Sequence, residues 1–255
     1  MELWTQEHIK TLIPSVAVML VVAIVLRLTI GKKALHIRMI PMKILAVAIV
    51  LLEIGKQAMS FVNGYDLYHI PLHYCSMLIL ALPVFAFYKG KGYKVAQGVS
   101  AALCMAMTLL TLIYPNLIYS PGNITNYWKG YFDFHTVTFH NLVIFATFLI
   151  FALDLYVPRG KKEQLAIVVC IAIFCVISAT MAQILKTNFA NFYSCNIAPL
   201  EAVRLSVQTV AGYVAAQILY ILILSVLNVL FTLLAYWTNQ LIVRCTHAKT
   251  PQKIG

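Results

Sequence analysis

The chain has 255 residues, of which 62% are hydrophobic and 11% are charged, and its mean hydropathy is +0.86. This composition excludes a water-soluble globular domain and indicates an integral membrane protein. The net charge of +11 would suggest a nucleic-acid partner in a soluble protein. Here, however, the cations lie in short segments between apolar runs, and no nucleic-acid-binding motif accompanies them, so we expect no such partner.

Seven apolar segments are long enough to cross a membrane. A run of about 20 residues spans a hydrocarbon core roughly 30 Å thick. The runs are spread evenly, which predicts a single all-α membrane domain over residues 1–255. The first run has no clear cleavage site, so we expect it to be retained rather than removed as a signal peptide. The predicted spans are residues 12–30, 40–62, 70–88, 95–113, 136–157, 164–185 and 210–237, the last with a break expected near Gly212.

The distribution of Lys and Arg predicts the orientation, because these residues are retained on the cytoplasmic side. With the N-terminus outside, 14 of the 19 fall inside, mostly in "GKKALHIRM", "KGKGYK", "PRGKK" and the tail "RCTHAKTPQK". Four fall outside and Lys56 lies within a span. The sequence therefore predicts a multi-pass protein of the cell membrane with its C-terminus inside.

The chemically reactive side chains gather at one level of this topology. Five of the seven histidines would face the outside, and packing alone gives no reason for that preference. A cluster of titratable groups is a pointer to a functional site. The residues at this level are His8, His69, His73, Cys75, His135, His140, Thr187, Asn188 and Cys195.

The stretch "YDLYHIPLHYCSML", residues 65–78, carries the thiol of this group. Pro71 suits the first turn of a helix, and Cys75, one turn later, would lie where the helix dipole favours a thiolate. His73 is two positions from Cys75 and points away from it on a regular helix, so it is a poor base unless that turn unwinds. His140 in the fifth span is the better candidate base. His135 lies roughly 140° away around the same helix, so the two cannot face one partner equally.

Each of these residues also has a structural interpretation. A single interfacial histidine is commonly satisfied by water or backbone, and a free cysteine commonly packs as a small hydrophobic residue. A disulfide between Cys75 and Cys195 is another alternative, since both would face the oxidising side. Glu53 and Lys56 share a face of the second span, where they could orient a catalytic histidine or form a structural ion pair. The sequon "NIT" at residues 123–125 is a weak glycosylation signal.

Five features occur in the same order as in a known family, over nearly the whole chain. They are "EH" (Glu7 and His8), Glu53, "PLHYC" (residues 71–75), His140 and "TNF" (residues 187–189). Together they resemble the YwaF-type bacterial integral membrane protein family. That family is similar to transmembrane protein 164, an acyltransferase acting on phospholipids, and more remotely to the androgen-induced membrane hydrolases of fatty-acid esters. The resemblance implies a cysteine nucleophile at Cys75 and a histidine partner at His140. The chain departs from it at Phe189, where a tyrosine would be expected.

The leading hypothesis is acyl transfer or ester hydrolysis on a phospholipid or lysophospholipid at the outer leaflet. Cys75 would attack the acyl carbonyl, His140 would carry the proton, and Asn188 could donate to the oxyanion. This mechanism needs no cofactor and no metal. The residues expected to contribute to substrate binding are His73, His8, Glu53, Asn188 and His135.

Two other functions remain open at this point. A metal-dependent membrane hydrolase would bind zinc through His69 and His73 together with His135 or His140. A transporter or small-molecule-binding protein would use Glu53 and Lys56 to line a pathway near the membrane middle. Metal analysis would distinguish the first alternative, and an inverted repeat with paired broken helices would indicate the second.

Overall fold

The computed structural model describes residues 3–194 and 198–247. These residues form helices and, within the described ranges, no β-strand, as an all-α membrane protein requires. Short helices at Leu35–Arg38, Pro115–Ile118 and Pro121–Thr125 lie in the connections. The long helices are α1 (Gln6–Ile30), α2 (Ile40–Val62), α3 (Met77–Phe87), α4 (Tyr93–Ile113), α5 (Tyr131–Ala152), α6 (Lys161–Leu185) and α7 (Ala198–His247).

Each of the seven predicted segments overlaps one of these helices, and α2 has the predicted bounds. The predicted span 136–157 is displaced, because α5 begins at Tyr131 and ends at Ala152. Its ends carry strong local signals. Pro41 lies in the first turn, where a backbone N–H would have no partner within the helix. Asn63 is the C-cap, and Gly64 follows with a φ of +77°, a left-handed conformation that stops the helix.

Five of the seven helices are long and apolar enough to cross a membrane. The two others are α2, which contains Lys43, Glu53 and Lys56, and α3, which with its preceding turn covers only Tyr74–Phe87. Fourteen helical residues extend about 21 Å, less than a full hydrocarbon core. The chain is thus a multi-pass membrane protein, and the count of seven spans and the orientation stay predictions. The five helices are Gln6–Ile30, Tyr93–Ile113, Tyr131–Ala152, Lys161–Leu185 and Leu200–Thr246.

The start of α3 differs from the predicted span of residues 70–88. The helix begins only at Met77, after single 3₁₀ turns at Leu67–His69 and Tyr74–Ser76. The cause is local, because a residue that precedes proline is disfavoured in the α region. Ile70 before Pro71 accordingly has a ψ of 132°. The connection between α2 and α3, residues 64–76, is therefore an irregular segment, which we call the thiol loop.

Helix α7 breaks at Gly212, where the sequence predicted a break. This residue has a φ of 81° and a ψ of 167°, which glycine adopts readily because it has no Cβ. Arg204 Nη1 lies 3.4 Å from Gln217 Oε1, although 13 residues of straight helix would span about 20 Å. The part of α7 before Gly212 therefore turns back toward the part after it.

Helix α4 lies at the centre of the bundle and packs against α3, α5, α6 and α7. Small side chains along it allow close helix approach, which is the usual means of packing helices in a membrane. Cys104 and Cys175 are buried in the core and pack there as small hydrophobic residues. The small buried residues of α4 are Gly98, Ser100, Ala101, Ala102, Cys104 and Ala106.

Two arginines hold the C-terminal end of α5. Arg27 Nη1 donates to the Ala152 carbonyl at 2.6 Å and to Asp154 Oδ2 at 2.9 Å, and Arg38 Nη1 donates to the Leu153 carbonyl at 2.6 Å. Cations suit a helix C-terminus because its last carbonyls have no helical partners. These bonds place the end of α1, the start of α2 and the end of α5 at one end of the bundle.

A buried carboxylate joins other helices at this same end. Glu163, at the start of α6, is 1% exposed. Its Oε2 accepts hydrogen bonds from the Tyr156 hydroxyl at 2.7 Å, the Arg159 backbone N–H at 2.7 Å and the Tyr236 hydroxyl at 2.8 Å. The contact ties the connection between α5 and α6 to α7.

We expect Gly98→Ala to destabilise this end of the bundle. A Cβ at Gly98 would lie 2.6 Å from Glu163 Cδ, and the carboxylate cannot move without losing its three donors. Overpacking of this kind costs about 1–3 kcal/mol, or several degrees in apparent melting temperature. Thermal unfolding in detergent would measure the effect, with Gly122→Ala, which meets only the Ser120 hydroxyl at 3.3 Å, as the control. Equal melting temperatures for the two variants would contradict the expectation.

Candidate functional site

The thiol loop is anchored by side chains from three different helices. Gln57 of α2 donates to the His69 carbonyl, and Ser178 of α6 donates to the Leu72 carbonyl. Tyr74 shares a hydrogen bond with Thr232 of α7. The distances are 2.8 Å for Gln57 Nε2 to His69 O, 3.0 Å for Ser178 Oγ to Leu72 O and 2.7 Å for Tyr74 Oη to Thr232 Oγ1. A segment without regular helical hydrogen bonds is thus fixed at three separate points.

Cys75 lies in the 3₁₀ turn that leads into α3. It is a free, partly buried thiol that packs against the main hydrophobic core. Because α3 begins only at Met77, Cys75 precedes the helix, and the predicted position one turn inside a helix that starts near Pro71 is wrong. Cys195, the alternative disulfide partner, lies outside the described residues. Cys75 is therefore a free thiol that packs on apolar side chains immediately before α3.

His73 occupies the N-cap of the turn that contains Cys75, with an extended backbone conformation. Its Nε2 donates to the Tyr68 carbonyl at 3.0 Å, which leaves Nδ1 as the acceptor nitrogen of the neutral ring. The ring lies 4.4 Å from that of Tyr68 and 5.8 Å from that of Phe189. Because the turn before Cys75 is not α-helical, the helical geometry that would point His73 away from the thiol does not apply.

His140 is buried on α5 in a defined tautomer. Its Nδ1 lies 2.7 Å from the Thr136 carbonyl, which can only accept, so Nδ1 carries the proton. The Nε2 atom of the neutral ring then has the lone pair that a general base needs. Tyr119 lies beside it at 6.2 Å between ring centroids. No direct hydrogen bond joins His140 to Cys75 among the described residues.

His135 pairs with the carboxylate of Glu53. Its Nε2 lies 3.4 Å from Glu53 Oε2, and both side chains are about nine-tenths buried. Neither of these two atoms has a hydrogen-bond partner within the described residues, so the contact between them is a close approach and not a hydrogen bond. The same carboxylate is paired with Lys56 Nζ at 2.8 Å through its other oxygen. The two histidines of α5 therefore have different partners, as their separation around the helix predicted.

His69 is held in the thiol loop by two contacts. Its Nδ1 lies 2.8 Å from Ser60 Oγ, and its ring stacks on Phe132 at 4.2 Å between centroids. Burial is the main cause that lowers the pKa of His69, which favours the neutral ring. The metal alternative would use this residue with His73. No group of three His, Cys, Asp or Glu side chains in the described part of the chain is arranged to hold a metal ion.

His8 is fully buried, and both of its ring nitrogens are bonded within the protein. Its Nδ1 accepts from the Thr5 backbone N–H at 3.1 Å and lies 2.9 Å from the Thr5 hydroxyl, which caps α1. Its Nε2 donates to the Tyr119 carbonyl at 2.9 Å. His8 would bind a lipid headgroup only by giving up one of these bonds.

We expect His8→Ala to destabilise the protein by about 2–3 kcal/mol. The substitution removes the cap of α1 and leaves the buried Tyr119 carbonyl without its donor. The apparent melting temperature in detergent should fall by about 5 °C or more. His36→Ala, at an exposed position near the opposite end, is the control. A melting temperature equal to that of the control would contradict a structural role for His8.

Asn188 organises the segment that follows α6. Its Oδ1 accepts from the backbone N–H groups of Tyr193 and Ser194 at 3.2 and 3.1 Å, and its Nδ2 makes a long 3.5 Å contact to Asn191. The neighbouring Phe189 is fully buried with its ring edge against His73. The phenylalanine that departs from the expected pattern therefore packs directly on the thiol loop.

The side chain of Asn123, the sequon asparagine, is hydrogen-bonded within the protein. Asn123 Nδ2 donates to Asp133 Oδ1 at 2.7 Å, and its Oδ1 accepts from the Ser120 backbone N–H at 2.7 Å as part of a helix cap. A glycan on Nδ2 would compete with the first of these bonds. The structural interpretation accounts for this asparagine.

A model of the TMEM164 family matches residues 3–236. The chain belongs to the TMEM164 family. Neither a curated protein nor a solved structure matches the chain. The region matched to the TMEM164 family includes α2, the thiol loop and α5, so every group described at this end of the bundle lies within it.

Some residues of this TMEM164-family site were not predicted. Gln57 was detectable, because it follows Glu53 by four residues and so lies on the same helix face. Ser178 and Tyr119 carried no such signal, since each meets its partner through a contact more than 100 residues away in sequence. The tautomer of His140 could not be predicted from the sequence either, because it depends on a hydrogen bond to the backbone of its own helix.

Proposed function

We propose that this TMEM164-family protein is a membrane-embedded lipid acyltransferase or ester hydrolase that forms an acyl thioester on Cys75. The observation that carries the proposal is a free thiol in a loop anchored by three helices, at the end of the bundle that contains five histidines. A nucleophile must be fixed in position, and a nearby imidazole must be free to accept its proton. His140, with its Nδ1 proton on the Thr136 carbonyl, would be that imidazole.

In the first half-reaction, Cys75 Sγ attacks the carbonyl carbon of a phospholipid acyl ester and gives its proton to His140 Nε2. The C–O ester bond then breaks, and His140 returns the proton to the leaving lysophospholipid oxygen. This leaves an acyl thioester on Cys75. A catalytic hydrogen bond often forms fully only when the substrate is bound, so the thiol and imidazole need not be bonded beforehand.

In the second half-reaction, a hydroxyl of a lysophospholipid or a water molecule attacks the thioester. The attacking oxygen gives its proton to His140, the C–S bond breaks, and the proton passes to the departing thiolate. A lipid acceptor gives acyl transfer and water gives hydrolysis. The acceptor nitrogen of His73 could bind a donor on the headgroup, and Asn188 or backbone N–H groups could stabilise the oxyanion.

The experiment is a turnover assay of the purified protein in nanodiscs. The discs contain a phospholipid labelled in one acyl chain and an unlabelled lysophospholipid, and labelled products are followed by mass spectrometry. We expect wild type to transfer the labelled chain to the added lysophospholipid or to release it as a labelled fatty acid, and Cys75→Ala to fall to background. Cys245→Ala, at an exposed cysteine near the end of α7, is the control. Equal turnover by Cys75→Ala and wild type, or no turnover of any acyl ester by wild type, would contradict the proposal.

A further inference from the structure

Glu53 is a junction between α2, α5 and the thiol loop. Its Oε1 accepts from Lys56 Nζ at 2.8 Å and from Gln57 Nε2 at 2.7 Å, and its Oε2 faces His135 Nε2 at 3.4 Å. The side chains of Glu53, Lys56 and His135 are only 9%, 11% and 10% exposed. A buried charge is costly unless it is paired, so this arrangement persists only while every partner is in place.

Gln57 carries the connection from Glu53 to the thiol loop. Its Nε2 donates both to Glu53 and to the His69 carbonyl, and its Oε1 accepts from the Tyr65 hydroxyl at 2.8 Å. One turn further on, Ser60 Oγ lies 2.8 Å from His69 Nδ1. Positions 53, 57 and 60 lie on one face of α2, which is therefore bonded to the loop at successive turns.

The same face of α2 is bonded to α5. The Tyr131 hydroxyl donates to the Leu52 carbonyl at 3.0 Å, one residue before Glu53 meets His135. A path of polar contacts thus runs from α5 to the His69 carbonyl, six residues before Cys75. His135 Nε2 approaches Glu53 Oε2 at 3.4 Å without a hydrogen bond, and Gln57 donates to both Glu53 and the His69 carbonyl. Simple packing of α2 in a membrane does not require such a path, because apolar side chains would pack as well.

We propose that Glu53 and Gln57 are positioning residues for Cys75, and that His135 is the partner of Glu53 rather than the proton acceptor. They fix the thiol loop at a set distance and angle from α5, where His140 lies. Displacement of a reacting group by about 1 Å costs up to roughly a hundredfold in rate. The expected effect on catalysis rests on the proposed function. The fixed position of the thiol can be measured separately, without any catalytic activity.

The variants are Glu53→Gln, which removes the charge, Glu53→Asp, which keeps it on a shorter side chain, and Gln57→Leu, which removes both bonds to the loop. Glu163→Gln is the matched control, since Glu163 is also a buried carboxylate, 1% exposed against 7% for Glu53, and lies at the opposite end. It lies 15 residues, about 22 Å, along α6 from Ser178, which contacts the thiol loop. Monodisperse elution and the melting temperature establish that each variant is folded.

The first measurement is the rate at which a neutral maleimide alkylates Cys75, followed on the Cys75 peptide by mass spectrometry. It requires no catalytic activity, so it remains informative if the proposed lipid chemistry fails. We expect Glu53→Gln and Gln57→Leu to change this rate by at least about fivefold, Glu53→Asp to change it less, and Glu163→Gln to leave it within twofold of wild type. Should Glu53→Gln fail to fold, Gln57→Leu, which disturbs no charge, tests the same point.

The second measurement is lipid turnover in nanodiscs. The two positioning variants should lower kcat by about 10 to 100-fold and change KM less than threefold, because a displaced thiol affects the reaction more than lipid binding. Glu163→Gln should retain wild-type values. The inference is overturned if alkylation of Cys75 in Glu53→Gln and Gln57→Leu matches the Glu163→Gln control. Altered alkylation without wild-type lipid turnover would support the positioning role while contradicting the proposed function.

Discussion

His140→Asn should lower kcat/KM for acyl transfer or hydrolysis by at least about a hundredfold. General acid–base catalysis contributes roughly 10² to 10⁴ in rate, and asparagine cannot accept the proton of the thiol. Asparagine can still donate a hydrogen bond near the Thr136 carbonyl that receives the His140 Nδ1 proton, so the local structure should be retained. The measurement is turnover of labelled phospholipid in nanodiscs, with protein amounts normalised by intact mass.

The control for this prediction is His36→Asn, an exposed histidine in the connection between α1 and α2. That variant should turn over lipid at the wild-type rate. A loss of less than about threefold in His140→Asn would contradict the assignment of His140 as the proton acceptor. If His135→Asn showed the larger loss in kcat while leaving Cys75 alkylation unchanged, His135 would be the base instead.

Gly55→Ala should separate α2 from α5 next to the Glu53–His135 pair. A Cβ at this position would overlap the Tyr131 hydroxyl, so Tyr131 must leave the Leu52 carbonyl that it now bonds. We expect a loss of about 2–3 kcal/mol, since overpacking in a core costs 1–3 kcal/mol and a buried carbonyl also loses its donor. Thermal unfolding in detergent should show a fall of at least 5 °C, and lipid turnover should fall with it.

A double variant tests whether a clash with Tyr131 causes the destabilisation by Gly55→Ala. Tyr131→Leu removes the hydroxyl and the far part of the ring that the new Cβ would meet. Combining it with Gly55→Ala should therefore destabilise less than the sum of the two single effects, because the clash exists only when both side chains are present. Strict additivity of the two substitutions would contradict the close approach of α2 and Tyr131.

The sequence predicted the helices well where apolar length and local end signals act together. In α2, Pro41 and the Asn63–Gly64 pair mark both ends, and the predicted bounds match the structure. It predicted α3 too early, because the apolar run includes Ile70 and Leu72, which hydropathy alone cannot distinguish from helix. Proline's effect on the preceding residue was the local signal that the helix starts later. In α7 the glycine at position 212 identified the break.

The sequence predicted one membrane level for the reactive side chains, which stays a prediction, and it did not predict their contacts. Alternation of helices through the bundle predicted that the start of α1, the start of the third span and the start of α5 lie together, so His8, Cys75 and His135 were expected at one level. Their partners depend on how each helix is rotated, which hydropathy does not specify. For that reason the pairing of Glu53 with His135, and the bonds of His8 to Thr5 and Tyr119, came only from the structure.

The central claim is that an acyl group passes through the Cys75 thiol, and trapping that intermediate tests it most directly. Wild-type protein in nanodiscs would be quenched with acid within seconds of adding a phospholipid with an isotopically labelled acyl chain, then digested and analysed by mass spectrometry. The account predicts the labelled acyl mass on the Cys75 peptide, removable by neutral hydroxylamine, and no labelled peptide in Cys75→Ala. Sustained lipid turnover with an unmodified Cys75 peptide, or undiminished turnover by Cys75→Ala, would contradict it.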